Sequence, residues 1–293
     1  MNTIKNSIKN TSEAARYKIA VMSEQELSTA IGWAKDEGWN PGIHDTAAFY
    51  QADPTGFLAG KYDDQIIATI SAVKYGHDFG FIGLYIVKNE FRGKGFGLAL
   101  WNAAIESLAG RNIGLDGVLA QQENYKKSGF KLAHRNIRFA GKSMNATPMM
   151  PTVSAEQVAF EEIAAYDSQF FPDERSAFLK HWIAPENSQT LLVLDHCRIV
   201  GYGSIRACER GFKIGPLNAE NSEIASALFS ALCATTPAAS DIFLDVPEPN
   251  LHAVQLAQRF NMSPVFETAR MYTKDFPKLP LHKIFGISSF ELG

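Results

Sequence analysis

The chain has 293 residues, of which 46% are hydrophobic and 20% charged, and its formal net charge is −3. That length exceeds one typical core and suits two domains. The near-neutral charge excludes a global pull toward nucleic acid or an anionic membrane, so any anion site must be local, and no apolar run long enough to span a membrane is present. The first 16 residues (MNTIKNSIKNTSEAAR) are polar, lack the apolar core of a signal peptide and read as a flexible leader. YKIAVMS (17–23) predicts a strand, and Ser23 before EQELSTAIGWAKDEG predicts a capped amphipathic helix. GWNPGIHD (38–45) is turn-rich, with side chains unusual for a connector, and TAAFYQAD (46–53) predicts a short helix. GFLAGKY (56–62) and QIIATISAVKY (65–75) flank Asp63-Asp64 and predict a hairpin, to which HDFGFIGLYIVK (77–88) adds a strand.

The next segment, FRGKGFGL (91–98), alternates glycines with basic and aromatic residues and leads into the helix-like GLALWNAAIESLAG (97–110). A buried strand, NIGLDGVLA (112–120), a short helix within ENYKKSGF (123–130) closed by Gly129, and a final strand, KLAHRNIRFAG (131–141), follow. The linker is expected at 143–152, so residues 17–142 form an N-terminal domain and 153–293 a second one. After the linker the order restarts. CRIVGYGSIRACERGFKIGP (197–216) echoes QIIATISAVKYGHDFGFIGL, and DIFLDVPEPN…ARMY (241–272) echoes the segment from Asn112 onward, at an offset of roughly 130 residues. This matched order predicts a duplicated fold. The cysteines (Cys197, Cys208, Cys233) are odd in number and lack metal-ligand spacing, so they read as free thiols of a cytoplasmic protein, with no metal site expected.

Helix N-termini carry backbone N–H groups without internal partners and a positive dipole end. Glycines let several such groups converge on one point, which makes a phosphate cradle; the competing reading is a solvated basic connector. FRGKGFGL is not a P-loop, because no glycine-lysine-Ser/Thr follows, and it is not the dinucleotide fingerprint, because Leu98 stands where a third glycine or alanine belongs.

Arg92-x-x-Gly95-x-Gly97 between a strand and a helix, followed in order by NYKKSGF (124–130), resembles the GNAT superfamily of N-acetyltransferases over roughly residues 17 to 140. The second half resembles a degenerate copy: LNAENSEIA (217–225) replaces the glycine loop, Glu220 and Glu223 would repel a pyrophosphate, and Ala257 stands at the tyrosine position. The resemblance implies an α/β fold of two tandem units, each a mixed, mostly antiparallel sheet flanked by helices. It implies acetyl-CoA as co-substrate, direct acetyl transfer to a primary amine, and a small-molecule acceptor, with no nucleic-acid or membrane partner. A non-catalytic acyl-CoA sensor is the alternative.

The site residues follow from the same resemblance. The backbone of Arg92, Gly93, Lys94, Gly95, Phe96, Gly97 and Leu98 would hold the phosphates, with Val87 and Lys88 beginning the grip and Ile86 donating its N–H to the thioester carbonyl. Asn124 and Lys127 would flank the same ligand. Tyr125 is expected to protonate the leaving thiolate, or only to pack beneath the helix. Asp116 is a candidate base, or a residue that merely satisfies buried groups. His44 and Asp45 could contact the acceptor or cap a helix; Trp39 and Tyr50 could wall the acceptor pocket or fill the core.

Overall fold

The computed structural model describes Ile8 and residues 11–143, 150–184, 186 and 188–293. The expected leader therefore lies mostly outside the described residues, as does most of the expected linker. Residues 11–16 depart from the leader reading. They form α1 (Thr11–Arg16), and Ala14 joins Ile8 and Tyr17 in an apolar cluster around Phe96.

β1 (Tyr17–Val21), β2 (Phe57–Tyr62), β3 (Gln65–Tyr75) and β4 (Phe79–Val87) build an antiparallel meander. Between β1 and β2 lie α2 (Glu24–Asp36) and α3 (Asp45–Ala52). Ser23 starts α2 with a reciprocal capping box: its hydroxyl accepts from the Glu26 amide at 3.2 Å and the Glu26 carboxylate accepts from its amide at 3.0 Å. After β4 come α4 (Phe96–Ser107), β5 (Asn112–Val118), α5 (Gln122–Lys127) and β6 (Lys131–Lys142). The second half repeats the pattern with β7 (Val153–Ser154), α6 (Phe160–Asp167), α7 (Ser176–Trp182), β8 (Gln189–Asp195), β9 (Arg198–Ala207), β10 (Phe212–Ala219), α8 (Ser222–Ala234), β11 (Asp241–Pro247), α9 (Leu251–Arg259), β12 (Ser263–Tyr272) and β13 (Ile284–Gly286).

The two mixed sheets are fused into one of 13 strands, ordered β1-β2-β3-β4-β5-β12-β6-β11-β10-β9-β8-β7, with β13 on β10. Among the described residues only β4–β5 and β10–β11 are parallel. The halves exchange their last long strands: β12 lies against β5, and β6 lies against β11. Three charged pairs tie the halves together, the first two set by strand register and the third joining α3 to β9. Arg270 meets Asp116 at 2.6 Å, Arg138 meets Asp245 at 2.6 Å, and Arg206 meets Asp45 at 2.8 Å, all with both side chains buried. One face of the sheet is covered by a core common to both halves, where Phe49 of α3 stacks on Trp182 of α7 with centroids 6.0 Å apart. A fold held this way does not divide into two independent cores.

Candidate active site

β4 and β5 pair only from Phe79↔Asn112 to Ile82↔Leu115. The register of β4 on β3 gives the reason. Between Ser71↔Gly83 and Thr69↔Ile86, two residues of β4 (Leu84, Tyr85) oppose the single Ile70, a β-bulge that bends the strand away. Leu84 adopts φ +47°, a region unfavourable to a bulky residue, and is held there by burial and by the Thr69 hydroxyl, which donates to its carbonyl at 2.9 Å. β12 pairs the other edge of β5, so where β4 bends away the edge of β5 toward it is left open and a V-shaped gap separates the two strands.

Backbone groups alternate sides along a strand. The Lys88 amide donates to Ile67 of β3 at 2.9 Å, so the Ile86 amide, two residues earlier, also faces β3. The amides of Tyr85 and Val87 face the gap; consistently, the Val87 carbonyl accepts from Arg92 Nε at 2.7 Å. The expected carbonyl donor Ile86 is therefore corrected to its neighbours. Lys88 is corrected too: its amide is used in the sheet and its ammonium lies over the Trp33 ring at 5.3 Å.

The gap leads to the loop at Lys88–Gly95. Gly95, at φ +95°, is the N-cap of α4 and turns the chain where a side chain would be strained. The amides of Gly93, Lys94, Gly95, Phe96, Gly97 and Leu98 donate to no backbone carbonyl among the described residues. They converge at the positive end of a 12-residue helix. Arg92 is held at the rim by Glu37, 3.0 Å from its Nη2, and Lys94 lies over the Phe91 ring. The Phe96 side chain points the other way, into a cluster with Tyr17, Tyr62 and Phe91, and anchors the helix start.

Tyr125 of α5 lies over β5 beside Trp101, their centroids 5.6 Å apart. Gly117 makes the approach possible: a β-carbon there would be 2.2 Å from Tyr125 Cε2. Burial pushes the Tyr125 phenol up to about 12, and burial with the nearby Tyr125 does the same to Tyr85. Both stay protonated donors at neutral pH. Asn124 and Lys127 are exposed and do not line the gap; Asn124 donates to Gln121 at 2.7 Å, and it is Gln121 that lines it.

The whole site is a cavity of about 590 Å³. Asp116 is on its wall, but its carboxylate is fully engaged: Arg270 donates from Nε at 2.9 Å and Nη2 at 2.6 Å, and Asn136 at 2.8 Å. This geometry makes it the ion-pair partner of Arg270, with both carboxylate oxygens engaged. Trp39 lines the cavity, whereas His44, Asp45 and Tyr50 do not. His44 is an exposed helix cap residue without a side-chain bond, Asp45 is locked to Arg206, and Tyr50 packs against the shared core. Sequence reading did not identify the residues that the second half contributes, namely Phe266 and Thr268 of β12 and Phe290 and Glu291 of the C-terminal tail. Only the mixed apolar and acidic character of SSFELG hints that this tail is buried.

The equivalent gap in the second half is filled. β10 and β11 pair only over Phe212–Ile214, after which β13 enters, with Leu217 opposite Gly286 and the Ile287 amide donating to Asp245 at 2.9 Å. Glu220, near the start of α8, is bound by Lys283 at 2.7 Å.

Comparison with known proteins agrees with this geometry. Residues 22–130 match the family model described as "Acetyltransferase (GNAT) family", and residues 163–286 match "Acetyltransferase (GNAT) domain". The chain is 31% identical over 274 residues to holothin acyltransferase of Pseudoalteromonas sp. (strain SANK 73390), covering 92% of each. In fold it resembles a putative acetyltransferase from Pyrococcus horikoshii (TM-score 0.81, 20% identity, 95% of this chain and 96% of that one). It also resembles a tandem GNAT protein from the clavulanic acid biosynthesis pathway (TM-score 0.60, 12% identity, 87% and 98%). The chain thus belongs to the GNAT acetyltransferase family and is an acyltransferase with two of the family's domains in tandem.

Proposed function

We propose that this acyltransferase moves an acetyl group from acetyl-CoA to the primary amine of a small molecule, by direct attack in a ternary complex at the N-terminal site. The observation that carries the reading is the run of unsatisfied amides at Gly93–Leu98, continuous with the β4/β5 gap. The two features fit the two ends of one ligand: a helix N-terminus for a diphosphate, and open strand edges for an amide-bearing arm. In this reading Gly93–Leu98 hold the phosphates, and the Tyr85 and Val87 backbone holds the pantetheine arm. Bound acetyl-CoA would supply a carbonyl activated by its thiolate leaving group. Tyr125, kept neutral by burial, would be the donor to the departing sulfur. The cysteines all lie in the second half, which favours direct attack over an acyl-cysteine route. The relative's name assigns it holothin as acceptor, and the present reading takes a non-protein acceptor of this kind here. Residues 153–293 would then wall the acceptor side and hold no second ligand, since β13 fills their gap.

Calorimetric titration of acetyl-CoA into the wild type and a Gly95→Glu variant tests the reading. The substitution strains φ +95° and places a carboxylate where a phosphate would sit. One site per chain, lost in the variant, is expected. Absence of binding to the wild type, or equal binding to both, refutes it.

A further inference from the structure

Three carboxylates among the described residues line the cavity, and two are already used: Glu37 by Arg92, and Asp116 by Arg270. The third, Glu291, is 3% exposed, and its Oε1 is closed off from solvent without a hydrogen-bond partner. An unsatisfied buried oxygen of this kind costs stability unless something else uses it.

The tail that carries Glu291 is fixed in place. Tyr75 donates to the Leu292 carbonyl at 3.1 Å, Arg175 donates to Ser288 at 3.0 Å, and Arg138 stacks over Phe290 at 4.7 Å. A β-carbon on Gly83 would lie 2.1 Å from the Glu291 carbonyl oxygen, so the residue rests against β4 one position before the bulge. From there to the gap-facing amides of Tyr85 and Val87 is two to four residues, about 7–14 Å. Glu291 therefore sits at the root of the gap, on the side opposite the phosphate loop. The charges that act on it are the Arg138 and Arg206 guanidiniums, each already paired with its own aspartate.

We propose that Glu291 is the catalytic base for the acceptor amine, and that the acceptor is a monoamine on a compact apolar body seated between Trp39, Phe266 and Phe290. This rests on the acyl-transfer reading above. With a single unengaged anion, the cavity matches one ammonium rather than a polyamine. Glu291 takes a proton from the ammonium. The nitrogen lone pair forms the C–N bond as the C–S bond breaks, and the thiolate receives the Tyr125 proton. The second nitrogen proton leaves to water, which restores the tyrosine, and Glu291 passes its own proton out through the cavity once the product has left. A free alkyl amine has a pKa of about 10.4, so roughly one molecule in 10³ is unprotonated at pH 7 and a base is needed there.

The test uses the full chain, acetyl-CoA, and benzylamine, 2-phenylethylamine and tryptamine, with spermidine as the polyamine contrast and chromatographic detection of the acetylated amine. At least one monoamine should be turned over with kcat/KM about tenfold or more above spermidine. Glu291→Gln should lower kcat by roughly 10²-fold at neutral pH. It should leave acetyl-CoA binding within about twofold, and its deficit should shrink about tenfold per pH unit as the amine deprotonates unaided. Glu291→Asp, with the carboxylate drawn back, should fall between. The proposal is overturned by a wild type that binds acetyl-CoA yet acetylates no monoamine, by an unchanged kcat in Glu291→Gln, or by a deficit that does not vary with pH. Loss of acetyl-CoA binding in both variants would assign the carboxylate a structural role instead. A wild type that does not bind acetyl-CoA at all brings down the acyl-transfer reading itself.

Discussion

Replacing Arg270 by methionine tests whether Asp116 is a structural ion-pair partner or a catalytic base. The two side chains are 8% and 0% exposed and share a bidentate contact at 2.6 and 2.9 Å. Methionine keeps much of the buried volume but leaves Asp116 ionised with no countercharge. Removing one partner of such a buried pair costs about 3–5 kcal/mol. Asn136 still donates to Asp116 at 2.8 Å, which places the expected loss near the lower end, about 3 kcal/mol. That is a large share of the 5–15 kcal/mol available to a typical fold. Adding Asp116→Leu should recover most of it, because the uncompensated charge disappears with its partner; the pair then shows a coupling of about 2 kcal/mol or more. Guanidinium unfolding followed by circular dichroism at constant slope reads both numbers. A single-variant loss under about 1 kcal/mol, or a double variant no more stable than the single one, would refute the reasoning and return Asp116 to the list of free carboxylates.

Two further outcomes follow from the same geometry. Gly117→Ala should displace the Tyr125 ring, whose Cε2 would stand 2.2 Å from the new methyl, and so lower kcat about as far as Tyr125→Phe while sparing acetyl-CoA binding; unaltered kcat would show that the ring position is immaterial. Burial, then the Arg270 charge, hold the His134 imidazole down at about 4 against an opposing hydrogen bond with Asn136. Its folded value lies below the unfolded one, so the neutral form is favoured in the fold. The stability it contributes is full above about pH 6.5 and is lost as pH falls toward 4. His134→Leu should flatten the decline in unfolding midpoint between pH 7 and 5, and an identical decline in both proteins would contradict this.

What could be read from the sequence was local. The helix cap at Ser23, the hairpin at Asp63-Asp64 and the glycine loop each depend on residues a few positions apart, and each appears where expected. The position of Tyr125 beside the gap was legible because its motif is short. What was not legible is carried by pairs far apart in sequence. Asp116 looked like a base because Arg270 lies 154 residues away, and Asp45 looked like an acceptor contact because Arg206 lies 161 residues away. The strand exchange was hidden for the same reason: β6 and β12 have equivalent patterns, and nothing in either says which half it will join. Ile86 illustrates a finer limit. The residue type gives no sign of which way an amide points, and the bulge at Leu84 and Tyr85, seen only in the register, decides it.

The exchange also explains how the second half can lose its ligand site and still be required. Its glycine loop is gone, its gap is filled by β13, and Glu220 is bound by Lys283. Yet β12 pairs the edge of β5 that faces away from β4, and so holds β5 in the sheet where β4 has bent from its other edge. The same strand carries Arg270, which neutralises Asp116, and Phe266 and Thr268, which line the cavity wall. The strand that fills the second gap leads, within a few residues, to the tail that presses Glu291 against β4. Closing one gap and walling the other are thus consecutive acts of one chain segment. A duplicated domain that had kept its own gap open would have lacked the anchored tail that completes the first.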